Sequence, residues 1–360
     1  MIVGGGTLGA AAAAARLAKL GHTVTLSGTP GCVGGHWRTS LPPVITLPAT
    51  WRDTFRKSGR TLEAELARAG LSLVAAPPTI HRFPDGLSFA LPTERGAQHR
   101  AISGAFGPAA ADRWRDLIDR LDDVWLALRR AGIEEPRPDR CPKDLAARLW
   151  RGLTLADLAE QVREPHLGAI ISSLGPRCGT DSPRAPALLA TRLVVDRTFG
   201  RWQLASQDRP AGATALLDAL EARLATRKVT IVADAGPPDL DLSPVQPPRP
   251  WFGRGLRAAL APQVSYPEAT PGEAAEVVTH SPSGLVVDWP GLRHDFGATR
   301  HDIAWGYAPD RWAAWWARPL AWSAGNEPWA ELASAALAVY DYHLRRTGAD
   351  VRPANKEYRP

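Results

Sequence analysis

Apolar and polar positions change period along the chain, and each change predicts an element. Three apolar residues, Met1–Ile2–Val3, lead into the glycine-rich run Gly4–Gly9, and Ala10–Leu20 behind it is almost pure helix former. Gly21 stops that helix and Thr23–Leu26 (TVTL) reads as a strand. The chain therefore opens as strand, turn, helix and strand in the length of one βαβ unit. Further on, Gly212–Leu224 places apolar residues at 216, 217, 220 and 224, one helical face, and Lys228–Val232 (KVTIV) follows as a strand. Ser283–Phe296 holds a hairpin with Gly284–Trp289 as one arm, and Glu331–Leu344 reads as a closing helix. Pro237–Pro250 is Pro-rich without a period and reads as a crossover loop. No stretch approaches about 18 uninterrupted apolar residues, so no transmembrane helix is expected. Nor does a charged segment ahead of an apolar one suggest a signal peptide.

The glycines carry the first chemical signal. Gly4, Gly6 and Gly9 fit GxGxxG at the mouth of a helix. Gly4 permits the tight turn, Gly6 lets backbone approach a pyrophosphate, and Gly9 allows close helix–strand packing. The helix N-terminus then offers oriented N–H groups and partial positive charge to the phosphates. The acidic residue that usually binds the adenosine ribose is expected about 20 residues on. That position falls at Gly28, with no carboxylate nearby; Ser27 and Thr29 offer hydroxyls instead.

Composition narrows the function classes. The 360 residues suggest two domains, and 44% hydrophobic with 22% charged residues is ordinary for a globular chain. A net charge of +6 invites a nucleic-acid reading, but the basic residues are nearly all Arg, interleaved with acids as in Ala111–Arg120 (ADRWRDLIDR). No dense basic tract or nucleic-acid motif appears, so no nucleic-acid partner is expected. Cys32, Cys141 and Cys178 are odd in number and far apart, and the nine His show no ligand spacing. Neither a disulfide framework nor a metal site is expected, and a reducing cytoplasm is the simplest setting. Five of the fourteen Trp lie between Trp305 and Trp322. Core packing is the favoured reading for them, ahead of an aromatic wall for an apolar substrate or contact with a membrane surface.

Just past Gly28 comes Gly34–Gly35–His36–Trp37–Arg38. The pairing of GGGTLG with this element resembles the flavin-dependent amine oxidases and phytoene desaturases, in which the second glycine pair and a neighbouring basic residue approach the FAD pyrophosphate and flavin. Leu41–Pro48, the helix at Trp51–Gly59, the hairpin His81–Leu91 with its Pro84–Asp85–Gly86 turn, and the helical Thr154–Leu174 are similar to successive segments of that family. The resemblance implies that Gly212–Leu224 and the following strand return the chain to the FAD domain, with Val232 facing the adenine. Leu320–Glu327 (LAWSAGNE) resembles the family's Ala-Gly-Asp/Glu element, with Asn326 in the Asp place and Glu327 next to it. The Gly-rich turn that follows in the family is replaced by Pro328–Trp329–Ala330.

The resemblance implies an α/β fold: a Rossmann-like FAD-binding domain at residues 1–50, 200–240 and 296–360, interleaved with a mixed α+β substrate domain at 51–199 and 241–295. The implied cofactor is FAD. The implied cofactor-binding residues are Gly4, Gly6, Thr7, Leu8, Gly9, Ser27, Gly34, Gly35, His36, Trp37, Arg38, Val232, Gly325, Asn326 and Glu327. The implied activity is a flavin-dependent oxidation of a small organic substrate by hydride transfer, with the electron acceptor open and no side chain assigned to catalysis. Two alternatives remain: a degenerate flavoprotein acting as a binding or partner protein, and an NADP-binding reductase in which Ser27, Thr29 and Arg38 meet a 2′-phosphate.

Overall fold

The computed structural model of the chain describes residues 1–136, 138–207, 209–243, 262–268, 276–282, 284–297, 312–316 and 327–353. Four short strands form an all-parallel sheet in the order Leu240–Asp241, Ile2–Gly4, Thr25–Ser27, Thr230–Val232. The mixed α/β class with Rossmann-like elements is the one the sequence predicts.

The helix that follows the first strand, Leu8–Lys19, begins earlier than the alanine run because Thr7 caps it, its hydroxyl accepting from the Ala10 amide at 3.0 Å. Every residue from Leu8 to Leu17 is buried. A helix enclosed all round must be apolar all round. The six consecutive alanines also let helices Pro48–Ser58, Thr214–Thr226 and Pro328–Thr347 approach it closely. Arg16 is the charged exception; its guanidinium lies 2.6 Å from Asp53 and beside the Tyr340 hydroxyl.

A second sheet is antiparallel, with Arg201–Ser206 between Ile45–Thr46 and Ser72–Ala75 and with Arg209–Ala211 returning along it. A third has six strands in the order Gln263–Ser265, Leu292–Asp295, Gly284–Trp289, Val277–Ser281, Thr79–Arg82, Ser88–Leu91. Both expected hairpins are present in it, Gly284–Trp289 with Leu292–Asp295 and Thr79–Arg82 with Ser88–Leu91. Around these sheets lie the helices of the largest apolar core. Pro108–Arg129 presents Trp114, Leu117, Ile118, Leu121, Val124 and Leu128 at helical spacing. Trp312, Trp315 and Trp316 are buried in the same core, whereas Trp305 and Trp322 lie outside the described residues.

Three expectations change. Thr154–Leu174 is two helices, Leu155–Gln161 and Pro165–Ser172, because Pro165 starts a new helix and Arg163 ahead of it is left-handed at φ +48°. The closing helix starts earlier, at Pro328, a residue whose fixed φ suits the first helical position. Within Pro237–Pro250, Leu240–Asp241 forms an edge strand beside Val3–Gly4, and 244–250 lie outside the described residues. No helix among the described residues is long and apolar enough to cross a membrane.

Candidate functional site

The two glycine motifs meet. Thr7 bridges to Gly34, and a Cβ on Gly35 would stand 3.4 Å from the Thr7 Cα. Gly6, Gly34 and Gly35 all have positive φ, at +58°, +105° and +59°. These conformations need glycine; at the mouth of the Leu8–Lys19 helix Gly35 is exposed and Gly6 half-buried, whereas Gly34 is buried against Leu217. Gly9 is close to the closing helix, its notional Cβ 3.3 Å from the Glu331 carbonyl oxygen, so the third motif glycine admits a helix here and not the expected strand. The tightest position is one that motif reasoning passed over. Gly5, at φ +117°, has the backbone of Leu242–Ser243 2.6 Å from where a Cβ would stand. Thr7 ties the same segment by donating its hydroxyl to the Leu242 carbonyl at 2.9 Å.

At the helix mouth Thr7 satisfies the amides of Ala10 and Ala11 through its side chain and carbonyl, and Leu8 behind it is fully buried. Gly28 lies against Gly6, with 3.2 Å from its notional Cβ to the Gly6 Cα, and donates its amide to the Val232 carbonyl at 2.8 Å. Ser27 pairs in register with Val232. Both therefore sit at the rim of the glycine loops. His36 is exposed. Arg38 turns to helix Thr214–Thr226, with Asp218 at 2.6 Å and Glu221 at 3.9 Å. Gly325 and Asn326 lie outside the described residues.

A carboxylate that sequence reasoning missed reaches the same mouth from the far end of the chain. Glu331 accepts from the Gly9 amide at 3.2 Å and from Trp37 Nε1 at 2.8 Å. Burial raises its pKa, and these two hydrogen bonds only partly offset that rise. Nothing in the local sequence marks it; only the packing of the closing helix on Gly9 brings it there.

Glu327, one helical turn before Glu331, faces a different group of charges. It pairs with Arg192 and accepts from the Thr46 hydroxyl at 3.2 Å. Beside it, Glu276 receives Arg177 at 3.3 Å, Arg201 at 3.2 Å and Trp289 Nε1 at 3.1 Å. Burial alone would raise the Glu276 carboxyl, but Arg201, Arg177 and Arg192 outweigh it and hold it well below the usual carboxylate range. Asp196 completes the cluster; burial raises its pKa despite Arg192 and Arg201. Next to these charges His81 Nδ1 and His280 Nε2 lie 3.0 Å apart, and burial lowers both rings, His280 to about 4. The pair is neutral at pH 7.

No protein-family model matches the chain. It is similar to a hydroxyneurosporene desaturase of Rhodobacter capsulatus, 29% identical over 206 residues that cover 53% of this chain and 41% of that protein. A hydroxyneurosporene desaturase of Cereibacter sphaeroides is 32% identical over 148 residues, 39% of this chain and 29% of that one. The chain thus spans less than half the length of these curated relatives. Among solved structures, an engineered putrescine oxidase has 15% identity over 83% of this chain and 56% of its own, with a TM-score of 0.40. Cyclohexylamine oxidase from Brevibacterium oxydans has 14% identity over 81% and 55%, also at 0.40. Both scores are too low to carry an argument. The two desaturases bear out the resemblance to oxidoreductases of the desaturase type.

Proposed function

We propose that the chain is an FAD-dependent oxidoreductase of the desaturase and amine-oxidase kind, which takes a hydride from a small organic substrate. The observation that carries this reading is the meeting of Gly34–Gly35 with Gly6–Thr7 at the mouth of a buried helix. The fit to a dinucleotide rests on the cradle. Side chains are missing where phosphate oxygens would need backbone, and the helix end favours an anion. Gly4, Gly6, Thr7, Leu8 and Gly9 would hold the diphosphate, with Gly34, Gly35, His36, Trp37 and Arg38 beside it. Ser27 and Val232 would meet the adenosine end, and Gly325 and Asn326 the ribitol end, while the Glu327 carboxylate, expected there too, is taken up by Arg192 and Thr46. Bound there, FAD would supply the hydride acceptor.

The chain's own groups do the rest. Glu331 fixes the indole of Trp37 against the first helix, and the buried charges around Glu276 set the polarity of the substrate side. In this reading residues 1–50, 200–240 and 296–360 bind the cofactor, and 51–199 and 241–295 the substrate. The ion pairs of Arg38 with Asp218 and Glu221 draw it away from a 2′-phosphate, which counts against the NADP reading. A decayed, non-catalytic binding protein stays as the second reading, because the Glu331 carboxylate adds negative charge beside the place of the phosphates.

The test is the visible spectrum of the purified protein, before and after incubation with FAD and removal of the excess. Flavin bands near one per chain are expected. A colourless protein that also fails to retain added FAD sinks the reading in favour of the binding protein.

A further inference from the structure

The parallel sheet has no carboxylate where the adenosine ribose of a dinucleotide is ordinarily held, and the packing around Gly28 shows why. Gly28 follows the strand Thr25–Ser27, the place of that acid, and a Cβ there would stand 3.2 Å from the Gly6 Cα. A side chain on Gly28 must push the first glycine loop aside, so an acid is seated there only by opening the cradle. Ligands of such sheets bind beyond the carboxyl ends of the strands, so a replacement acid has to stand at that edge. Asp241 ends the strand on the far side of Ile2–Gly4, two strand spacings or about 10 Å from Gly28, and its Oδ1 holds the Ser243 amide at 2.9 Å. Glu221 reaches the loop from helix Thr214–Thr226, but the Gly31 amide takes one of its oxygens at 2.6 Å and Arg38 lies 3.9 Å from the other. Asp234 remains. It lies just past Val232, which pairs with Ser27 in register and accepts from the Gly28 amide at 2.8 Å. Its backbone therefore leaves the sheet one strand spacing, about 5 Å, to the side of Gly28. Asp234 is exposed, with Oδ1 accepting from the Gly236 amide at 2.9 Å and no partner for Oδ2 among the described residues.

We propose that Asp234 is the carboxylate that receives the ribose 2′-hydroxyl of the dinucleotide's adenosine, moved from the end of one parallel strand to the end of its neighbour. This rests on the dinucleotide reading of the glycine loops given above. The move keeps a charged acceptor at the rim and leaves Gly28 bare, so that the strand end closes on Gly6. An ionised carboxylate accepts from a ribose hydroxyl more strongly than Ser27 or Thr29, and it repels a phosphate carried on the same oxygen. Asp234 therefore selects an adenosine whose 2′-oxygen is unmodified, as in FAD, over one phosphorylated there, as in NADP.

The experiment is calorimetric titration of the full chain with ADP, 2′-deoxy-ADP and adenosine 2′,5′-bisphosphate, with FAD retention read separately from the visible spectrum. Asp234→Asn keeps an oxygen for the Gly236 amide and removes the charge. It is expected to weaken ADP by about tenfold, the loss of one charge-assisted hydrogen bond. With 2′-deoxy-ADP, which lacks the hydroxyl, parent and variant are expected to bind alike. With adenosine 2′,5′-bisphosphate the sign reverses, and the variant binds more tightly than the parent. A packing defect would weaken all three nucleotides together. Asp234→Ser is expected to give the same pattern and carries the test should Asp234→Asn fail to fold. A parent that binds no ADP, an ADP affinity untouched by either substitution, or an equal loss on all three nucleotides would each overturn the proposal. A chain that shows the pattern but never retains FAD refutes the flavin reading and leaves Asp234 in its role. A chain that retains FAD while Asp234→Asn leaves ADP unchanged does the reverse.

Discussion

Two residues at the glycine loops show how narrow the tolerances are. A methyl group on Gly5 would stand 2.6 Å from the Leu242 carbonyl group, on a backbone whose φ of +117° side chains rarely adopt. Gly5→Ala must therefore displace the edge strand Leu240–Asp241 or the loop itself. We expect a loss of about 2–4 kcal/mol in urea denaturation, the sum of backbone strain and a forced contact. Glu331 presents the opposite problem, a charge held where burial disfavours it. Its folded pKa is raised above the ordinary 4.5, so its contribution to stability is complete below that value and is lost as pH rises through the raised one. Glu331→Gln removes the charge and keeps one acceptor oxygen, so that one of the two hydrogen bonds, from Gly9 or from Trp37, is retained and the other is lost. Thermal melts should show a flatter pH dependence from mildly acid to neutral conditions, whatever the pH-independent cost of the lost hydrogen bond. Fluorescence titration should show FAD bound up to about tenfold more tightly at neutral pH, as expected for one like charge removed beside a diphosphate. A weaker affinity would mean that the carboxylate assists the cofactor.

At the scale of elements, a histidine joins a hairpin to a helix. His166, in the first turn of Pro165–Ser172, places Nε2 2.8 Å from Asp85 in the hairpin turn and Nδ1 2.9 Å from Glu164. Burial pulls its pKa down, yet the hydrogen bonds from Asp85 and Glu164 outweigh it, and the net shift is upward. The stabilisation is therefore complete below the ordinary value of 6.5 and is lost as pH rises through the raised one. Hydrogen exchange in Thr79–Leu91 should quicken as pH rises past neutrality beyond the intrinsic chemical rate, and His166→Gln should remove that excess. The elements themselves were largely legible. Glycine before an alanine run announced the first helix, and Pro84–Asp85–Gly86 announced the hairpin, because turn chemistry is local. The split at Arg163 followed from Pro165, a signal present in the sequence but overridden by the family pattern. The Leu240–Asp241 strand was hidden, since two residues between prolines carry no period; its partner across the sheet makes it a strand.

For the whole molecule, the decisive contacts are between distant segments. Glu276, beside the six-stranded sheet, binds Arg201 of the antiparallel sheet and Arg177 of the helical region. Glu276→Gln leaves buried arginines without their counter-ion, and about 3–5 kcal/mol of stability should be lost. Its folded pKa is depressed, so in the parent this contribution is present above the ordinary 4.5 and is lost only as pH falls toward the depressed value. Denaturant curves at neutral and acid pH separate that sign from a packing defect, which would be pH-independent. This is also where sequence reasoning stopped. The cradle was readable because its glycines lie within thirty-five residues of the start. The three arginines and their partners are spread from Thr46 to Glu327, and no spacing rule connects them. Glu331 was read only as the start of a helix for the same reason.

The parallel sheet has one further consequence, in the order of its assembly. Thr230–Val232 lies at one edge and Leu240–Asp241 at the other, three strand spacings or about 14 Å away. Residues 233–239 make that crossing, with a reach of at most about 25 Å. Without Thr230–Val232 in place, closing Leu240–Asp241 onto Ile2–Gly4 means joining chain segments more than 230 residues apart, since Asp239 hydrogen-bonds Ile2 across a separation of 237. Once Thr230–Val232 has docked, only the short tether remains to be closed, about five halvings of the loop and about 3 kcal/mol less chain entropy to surrender. The edge strand that confines Gly5 should therefore arrive last, and the glycine loops should take their final shape only then.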